Sequence, residues 1–277
     1  MDRQIKIKNN IIFYTLLAYG FTWILWISAI SLGYKDLSFI EIINFEFEDL
    51  KEVLAFLLFR LGVYGPLAAA IITIYYKKLN IKEFWQRITN WKIEIKWYLY
   101  VLLLPIFINI IVVLIGMLIG IPLNNFFNSN IPFNLVIVYF IYELLTSGLE
   151  EPGWRGFVLP ALEKIYDAEK ASWILGIIWA VWHYPYVIFL YSGIGIIPTI
   201  FSLAGFTMSI IAQTFIITWF YNNTKSVLVT ILLHTWLNTS TTFILGNITI
   251  INPAMGIIPG LVSWGIVFVL LKNIKRR

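Results

Sequence analysis

The sequence predicts an all-α, polytopic membrane protein of about eight transmembrane helices. Three observations predict it. Of the 277 residues, 60% are hydrophobic and only 13% are charged, against roughly 25% charged in soluble domains. Apolar runs near the ~20 residues needed to cross a bilayer follow one another with short gaps. Aromatic residues make up 17% of the chain, with 12 Trp, as expected where rings anchor helix ends at the interface. Residues 1–277 therefore read as one integral membrane domain.

The candidate spans are 11–33, 53–76, 97–121, 134–149 with a continuation, 171–191, 196–220, 226–246 and 254–271. The first is too long for the apolar region of a signal peptide, about 7–15 residues, and reads as an uncleaved span. Asn247, Asn252 and Pro253 mark the break before the last. Charges set the orientation. The N-terminus carries Arg3, Lys6 and Lys8; loop 77–96 carries Lys77, Lys78, Lys82, Arg87, Lys92 and Lys96; the C-terminus ends in Lys272, Lys275, Arg276 and Arg277. Loop 34–52 is acidic, with Asp36, Glu41, Glu46, Glu48, Asp49 and Glu52. An even number of spans puts the basic segments on one side, which the positive-inside rule makes cytoplasmic. Loop 77–96 also interleaves Phe84, Trp85, Trp91 and Trp97 with its cations, a pattern suited to membrane headgroups, the alternative being ordinary topology-setting charge plus aromatic anchors.

The chain has no cysteine, which excludes disulfides, thiolate metal ligands and a cysteine nucleophile. It has two histidines, His183 and His234, each in an apolar run. Ionisable groups at membrane depth cost at least about 2.5 kcal/mol for an Asp or Arg, so a functional reading is the default. The fourth span leads from Glu143 into Glu150-Glu151-Pro152-Gly153-Trp154-Arg155. Glu143 and Glu150 are seven apart, so they share a helix face. Glu151 and Arg155 stand in the favourable order for a helical ion pair, the alternative being solvated charges at a helix end. Pro152 removes a backbone donor, and Gly153 and Gly156 permit close helix approach. His234 and Asn238 project from one face; helix–helix hydrogen bonding is the alternative there. By helical rise, His183 and His234 lie about 18 and 14 Å from the cytoplasmic ends of their spans, and Glu150 about 24 Å from the outer end of its own. All three meet in the cytoplasmic half, in a polar cavity expected to open to that side.

Together these residues resemble one family. Glu150-Glu151-x-x-x-Arg155, Trp179-x-x-x-His183 (Trp where Phe is more usual) and His234-x-x-x-Asn238 are similar, in order and spacing, to the motifs of the CPBP (Abi) intramembrane endopeptidases. That family includes the type II CAAX prenyl proteases and bacteriocin-processing or self-immunity proteins. The resemblance covers about 130–245, the expected catalytic core. A further motif in the sixth span falls near Phe206 or Gln213. The resemblance implies an endopeptidase in which Glu150, with His183, deprotonates a water that attacks the scissile carbonyl. His234 and Asn238 would donate to the oxyanion, and Glu151 would pair with Arg155 to hold the helix. Arg60, Glu143 and Trp179 are candidate substrate or lipid contacts; Arg60 can also pair with Glu143 or snorkel.

Expected partners are membrane lipids and a hydrophobic or prenylated peptide, with no nucleic acid and no cofactor. A zinc site at Glu150, His183 and His234 is the alternative. Rival functions are a non-enzymatic self-immunity or peptide-binding protein, and a transporter built around Arg60, Gly62, Gly65 and Pro66. The abundance of Ile, Asn and Lys points to a prokaryotic cell membrane, with both termini cytoplasmic.

Overall fold

The computed structural model describes residues 2–127, 131–246 and 257–274. The described residues form helices and their connections. The helices are α1 (Asp2–Ser31), α2 (Phe39–Ile43), α3 (Leu50–Gly62), α4 (Gly65–Tyr76), α5 (Ile81–Ile88), α6 (Ile95–Leu118) and α7 (Val136–Leu145). After a 3-10 turn at Ser147–Glu150 come α8 (Glu151–Gly153), a π-helical turn at Trp154–Val158 and α9 (Leu159–Leu162). Then follow α10 (Ala168–Trp182), α11 (Tyr184–Tyr191), α12 (Ile196–Thr224), α13 (Val227–Leu245) and α14 (Ile258–Ile274).

Among the described residues, five helical segments are long and apolar enough to cross a bilayer, and seven if two bent pairs each count as one span. The protein is thus a multi-pass membrane protein, and the described residues account for up to seven of the eight expected spans. The last expected span, 254–271, meets α14, whose apolar stretch Ile258–Leu271 is short. The break at Asn247, Asn252 and Pro253 and the basic C-terminal side chains lie outside the described residues.

Both bent pairs were expected as single spans. α3 and α4 meet at 51°, as do α10 and α11. The cause is legible in the chain: Pro66 and Pro185 lack the N–H that residues 62 and 181 need four positions on. Carbonyls around such breaks need donors in an apolar medium. α1 supplies them. Thr22 Oγ1 donates to Gly62 O at 2.7 Å and Trp26 Nε1 to Phe59 O at 2.9 Å. At the second break Tyr19 Oη donates to Ile178 O at 2.6 Å and Trp23 Nε1 to Trp182 O at 2.9 Å. His183 therefore sits at a helix break rather than inside a continuous helix.

α1 packs on α3 and α4; α10 packs on α12, and α12 on α14; α13 packs on α6 and α7. Small residues set the close contacts. A Cβ at Gly62 would lie 2.5 Å from the Trp26 ring, and one at Gly176 would lie 2.9 Å from Ile211 Cα. The connection at 77–96 contains α5, capped by Asn80 accepting from Glu83 N. Phe84 is buried, Trp85 and Trp91 are exposed, and Arg87 donates to Gly156 O at 3.0 Å. On the other connection, Lys35 pairs with Glu48 at 2.8 Å and Glu52 at 3.4 Å.

Candidate active site

The glutamate segment is irregular, and its irregularity positions the acids. α7 ends at Thr146, whose backbone (φ −110°, ψ −96°) leaves the helical region. Glu143 and Glu150 therefore do not share one helical face as expected. The π-helical turn beyond Pro152 gives the segment a second irregularity, and such turns are frequent at functional sites. Gly153 and Gly156 do permit the predicted close approach. A Cβ on Gly153 would fall 2.5 Å from the Pro66 carbonyl, and one on Gly156 would fall 3.1 Å from the Phe84 ring.

Glu150, 4% exposed, accepts from Trp179 Nε1 through Oε2 at 2.8 Å. Trp179 was expected as a conservative stand-in for Phe, yet its indole N–H makes a bond that Phe lacks. Glu151 and Arg155 are fully buried and pair through Oε1 and Nη1 at 2.8 Å, which removes the solvated-charge alternative. The guanidinium lies 4.5 Å from the centroid of the Trp179 ring. The same Glu151 oxygen meets His234 Nδ1 at 3.0 Å. Glu151 thus does more than hold its helix: one carboxylate fixes both a cation and an imidazole.

His183 Nδ1 lies 2.9 Å from Trp179 O. A carbonyl only accepts, so Nδ1 carries the proton and neutral His183 presents Nε2 as an acceptor. Its ring is 4.6 Å from Trp182 and 5.2 Å from Phe206. Of the two sixth-span candidates, Phe206 is the one with a ring against His183. The rings of Trp179 and His234 meet edge to face at 5.3 Å.

Asn238 lies one helical turn beyond His234. Its Nδ2 donates to Glu143 Oε2 at 3.0 Å and Ser147 Oγ at 3.1 Å, and Ser147 Oγ donates to Glu143 Oε2 at 2.6 Å. Glu143 is therefore engaged with Asn238 and Ser147. It forms no ion pair with Arg60 among the described residues, contrary to one expectation for that arginine. Sequence reasoning missed Ser147 as a partner; its place one turn after Glu143 was the available signal.

Exposure divides the site. Glu150, Glu151, Trp154, Arg155, Trp179 and His234 are buried, whereas Glu143, Ser147, His183 and Asn238 keep partial exposure. The sealed side is backed by α5, through Phe84 against Gly156 and the Arg87 bond. The partly exposed side leads toward Arg60, Tyr142 and loop 34–52, where Tyr186 Oη donates to Asp36 Oδ2 at 3.0 Å. Among the described residues, no three His, Asp or Glu side chains gather closely enough to hold a metal ion.

Comparisons with known proteins agree with the resemblance. Residues 132–240 match the family described as type II CAAX prenyl endopeptidase Rce1-like. The chain is also 29% identical over 240 residues to CAAX prenyl protease 2 of Methanococcus maripaludis, covering 83% of each protein. The matched stretch contains Glu150, Glu151, Arg155, Trp179, His183, His234 and Asn238, so the resemblance to type II CAAX prenyl endopeptidases is shown over the segment that builds the site.

Proposed function

We propose that this protein is an intramembrane endopeptidase that removes about three residues from the C-terminus of a hydrophobic or prenylated peptide. Glu150 and His183 hold the attacking water. The Trp179 bond takes one carboxylate oxygen and fixes the direction of the other, and His183 Nε2 supplies a second acceptor. Glu150 takes the proton as water oxygen bonds to the scissile carbonyl carbon. It returns that proton to the leaving amine as the C–N bond breaks.

His234 and Asn238 stabilise the oxyanion. With Nδ1 donating to Glu151, His234 Nε2 is a donor only when the ring is an imidazolium, so this role belongs to the protonated form. Asn238 donates by exchanging its bond to Ser147 Oγ for one to the oxyanion. Loss of one such donor typically costs about 10²–10³ in turnover. The mechanism is proposed to be metal-free, and full activity after exhaustive chelation is its check.

The observation that carries this reading is the Trp179–Glu150 hydrogen bond, set between the two histidines. It is tested by mass spectrometry of a farnesylated CAAX peptide incubated with the detergent-purified protein. Wild type should release the last three residues. Glu150→Gln should lose at least about 10³-fold while remaining folded, as expected for a residue acting in the chemical step. An active, stable Glu150→Gln variant would remove Glu150 from the chemistry.

A further inference from the structure

We propose that Arg60 and Tyr142 form an anion-binding subsite that holds the α-carboxylate of the substrate and so sets the number of residues beyond the scissile bond. This rests on the endopeptidase reading above. The Arg60 guanidinium carbon lies 5.0 Å from the ring centroid of Phe56, 5.2 Å from that of Tyr142 and 6.0 Å from that of Phe59. Its Nε is buried with no acceptor, and so is the neighbouring Tyr142 hydroxyl. Two adjacent buried donors without acceptors are what an anion requires.

The nearby carboxylates are committed elsewhere. Asp36 accepts from Tyr34 and Tyr186, and Glu143 accepts from Ser147 and Asn238. Among the described residues, no carboxylate oxygen comes within 4 Å of Arg60 in an ion pair. Neither does Arg60 lie on the outward stripe of α3. Leu50, Leu54, Leu57 and Leu61 face outward, and Arg60 shares the face of Phe56 toward α7. That placement favours a peptide in the interior over a lipid phosphate at the periphery.

Distance supplies the ruler. Arg60 lies 6.0 Å from the Phe59 ring centroid, Phe59 stacks on Trp26 at 5.0 Å and Trp26 lies 6.3 Å from the His183 ring, so the subsite reaches the site through two rings. Three extended residues span about 10 Å. A peptide whose carboxylate meets Arg60 thus places the bond before its last three residues near His183.

The test compares cleavage of one farnesylated CAAX peptide as free acid and as C-terminal amide. Wild type should favour the acid by about 10- to 100-fold in kcat/KM, the range of a hydrogen bond to a charged group. Arg60→Gln should lose that factor on the acid alone, bringing the ratio near one. Arg60→Lys, which keeps the charge but not the planar fork, should fall between. Equal losses on both peptides, or an unchanged ratio, would overturn the proposal. So would loss of a copurifying anionic lipid in Arg60→Gln with the ratio unchanged. If wild type cleaves neither peptide, the endopeptidase reading fails. The subsite is then judged by equilibrium binding of the same two peptides: a preference for the acid that Arg60→Gln abolishes supports it, and equal binding overturns it.

Discussion

Two clusters of polar groups lie along the same interior, and they meet the cost of burial differently. In the sealed cluster one Glu151 oxygen pairs with both Arg155 and His234, Arg155 stacks on Trp179 and Trp179 donates to Glu150, while Glu151 Oε2 and Arg155 Nε and Nη2 stay without partners. In the partly exposed cluster Glu143, Ser147 and Asn238 form a smaller network, and beside it Arg60 and Tyr142 keep donors without acceptors. The first arrangement is closed and rigid, as a pre-organised reaction centre requires. The second is partly open, and its arginine has no carboxylate partner among the described residues, as a surface that meets an anion requires. Charge at membrane depth is therefore not one signal but two, and ion pairing and exposure separate them: Arg155 has a carboxylate partner, and Arg60 has none among the described residues.

The sharpest way to break this contrast is Glu151→Gln. It leaves Arg155 as an uncompensated buried charge and loosens His234, so stability should fall by about 3–5 kcal/mol, together with nearly all cleavage. Thermal unfolding in detergent reads the first and peptide cleavage the second. Replacing both Glu151 and Arg155 by Leu should recover much of the stability, because a buried pair is often replaceable by apolar groups. Activity should not return, since His234 still lacks its Nδ1 partner. Recovery of both would reduce the sealed cluster to packing.

Trp179→Phe should have a smaller effect. It keeps an aromatic ring against Arg155 and His234 but deletes the donor to Glu150. We expect kcat to fall about 10-fold with KM nearly constant, the scale of one hydrogen bond to a charged group. Unchanged kcat would mean that the bond does not orient the base.

The smallest effect is expected at Glu163, outside both clusters and beyond the end of its span. Burial pushes its carboxyl above the ordinary range, and the bond from Asn222 only partly opposes this. A raised carboxyl binds more protons folded than unfolded, so this contribution is fully present at low pH. It is lost as pH rises through and just above the usual carboxylate range. Glu163→Gln should remove that pH dependence while changing stability by less than about 1 kcal/mol. Melting curves at several pH values would reveal a larger or opposite slope.

Much of the site was legible in the chain because its members are rare here. Two histidines, adjacent acids before an arginine, and an asparagine one turn after a histidine identify themselves against an apolar background. The Glu151–Arg155 pair was legible because both residues lie on neighbouring turns of one segment. The two span breaks were missed: Pro66 and Pro185 stand at them, but length and hydropathy join the halves, and Pro105 shows that a proline can lie inside an unbroken helix. The bonds between His234 and Glu151, Asn238 and Glu143, and Trp179 and Glu150 were not legible. Helical periodicity orders neighbours within a helix and carries no information about which helix lies opposite.

The sequence by itself determined that the chain is a helical membrane protein and which ionisable residue types lie among its apolar runs. The cost of burying backbone and charge in an apolar medium leaves few other arrangements. Only the tertiary structure decided that Glu151 meets His234 as well as Arg155 and that Glu150 takes the Trp179 bond. It also decided that α1 supplies donors to both broken spans, and that Arg60 stays free of Glu143. Those outcomes depend on how separate helices pack, where a few ångströms decide whether two polar groups satisfy each other or await a ligand.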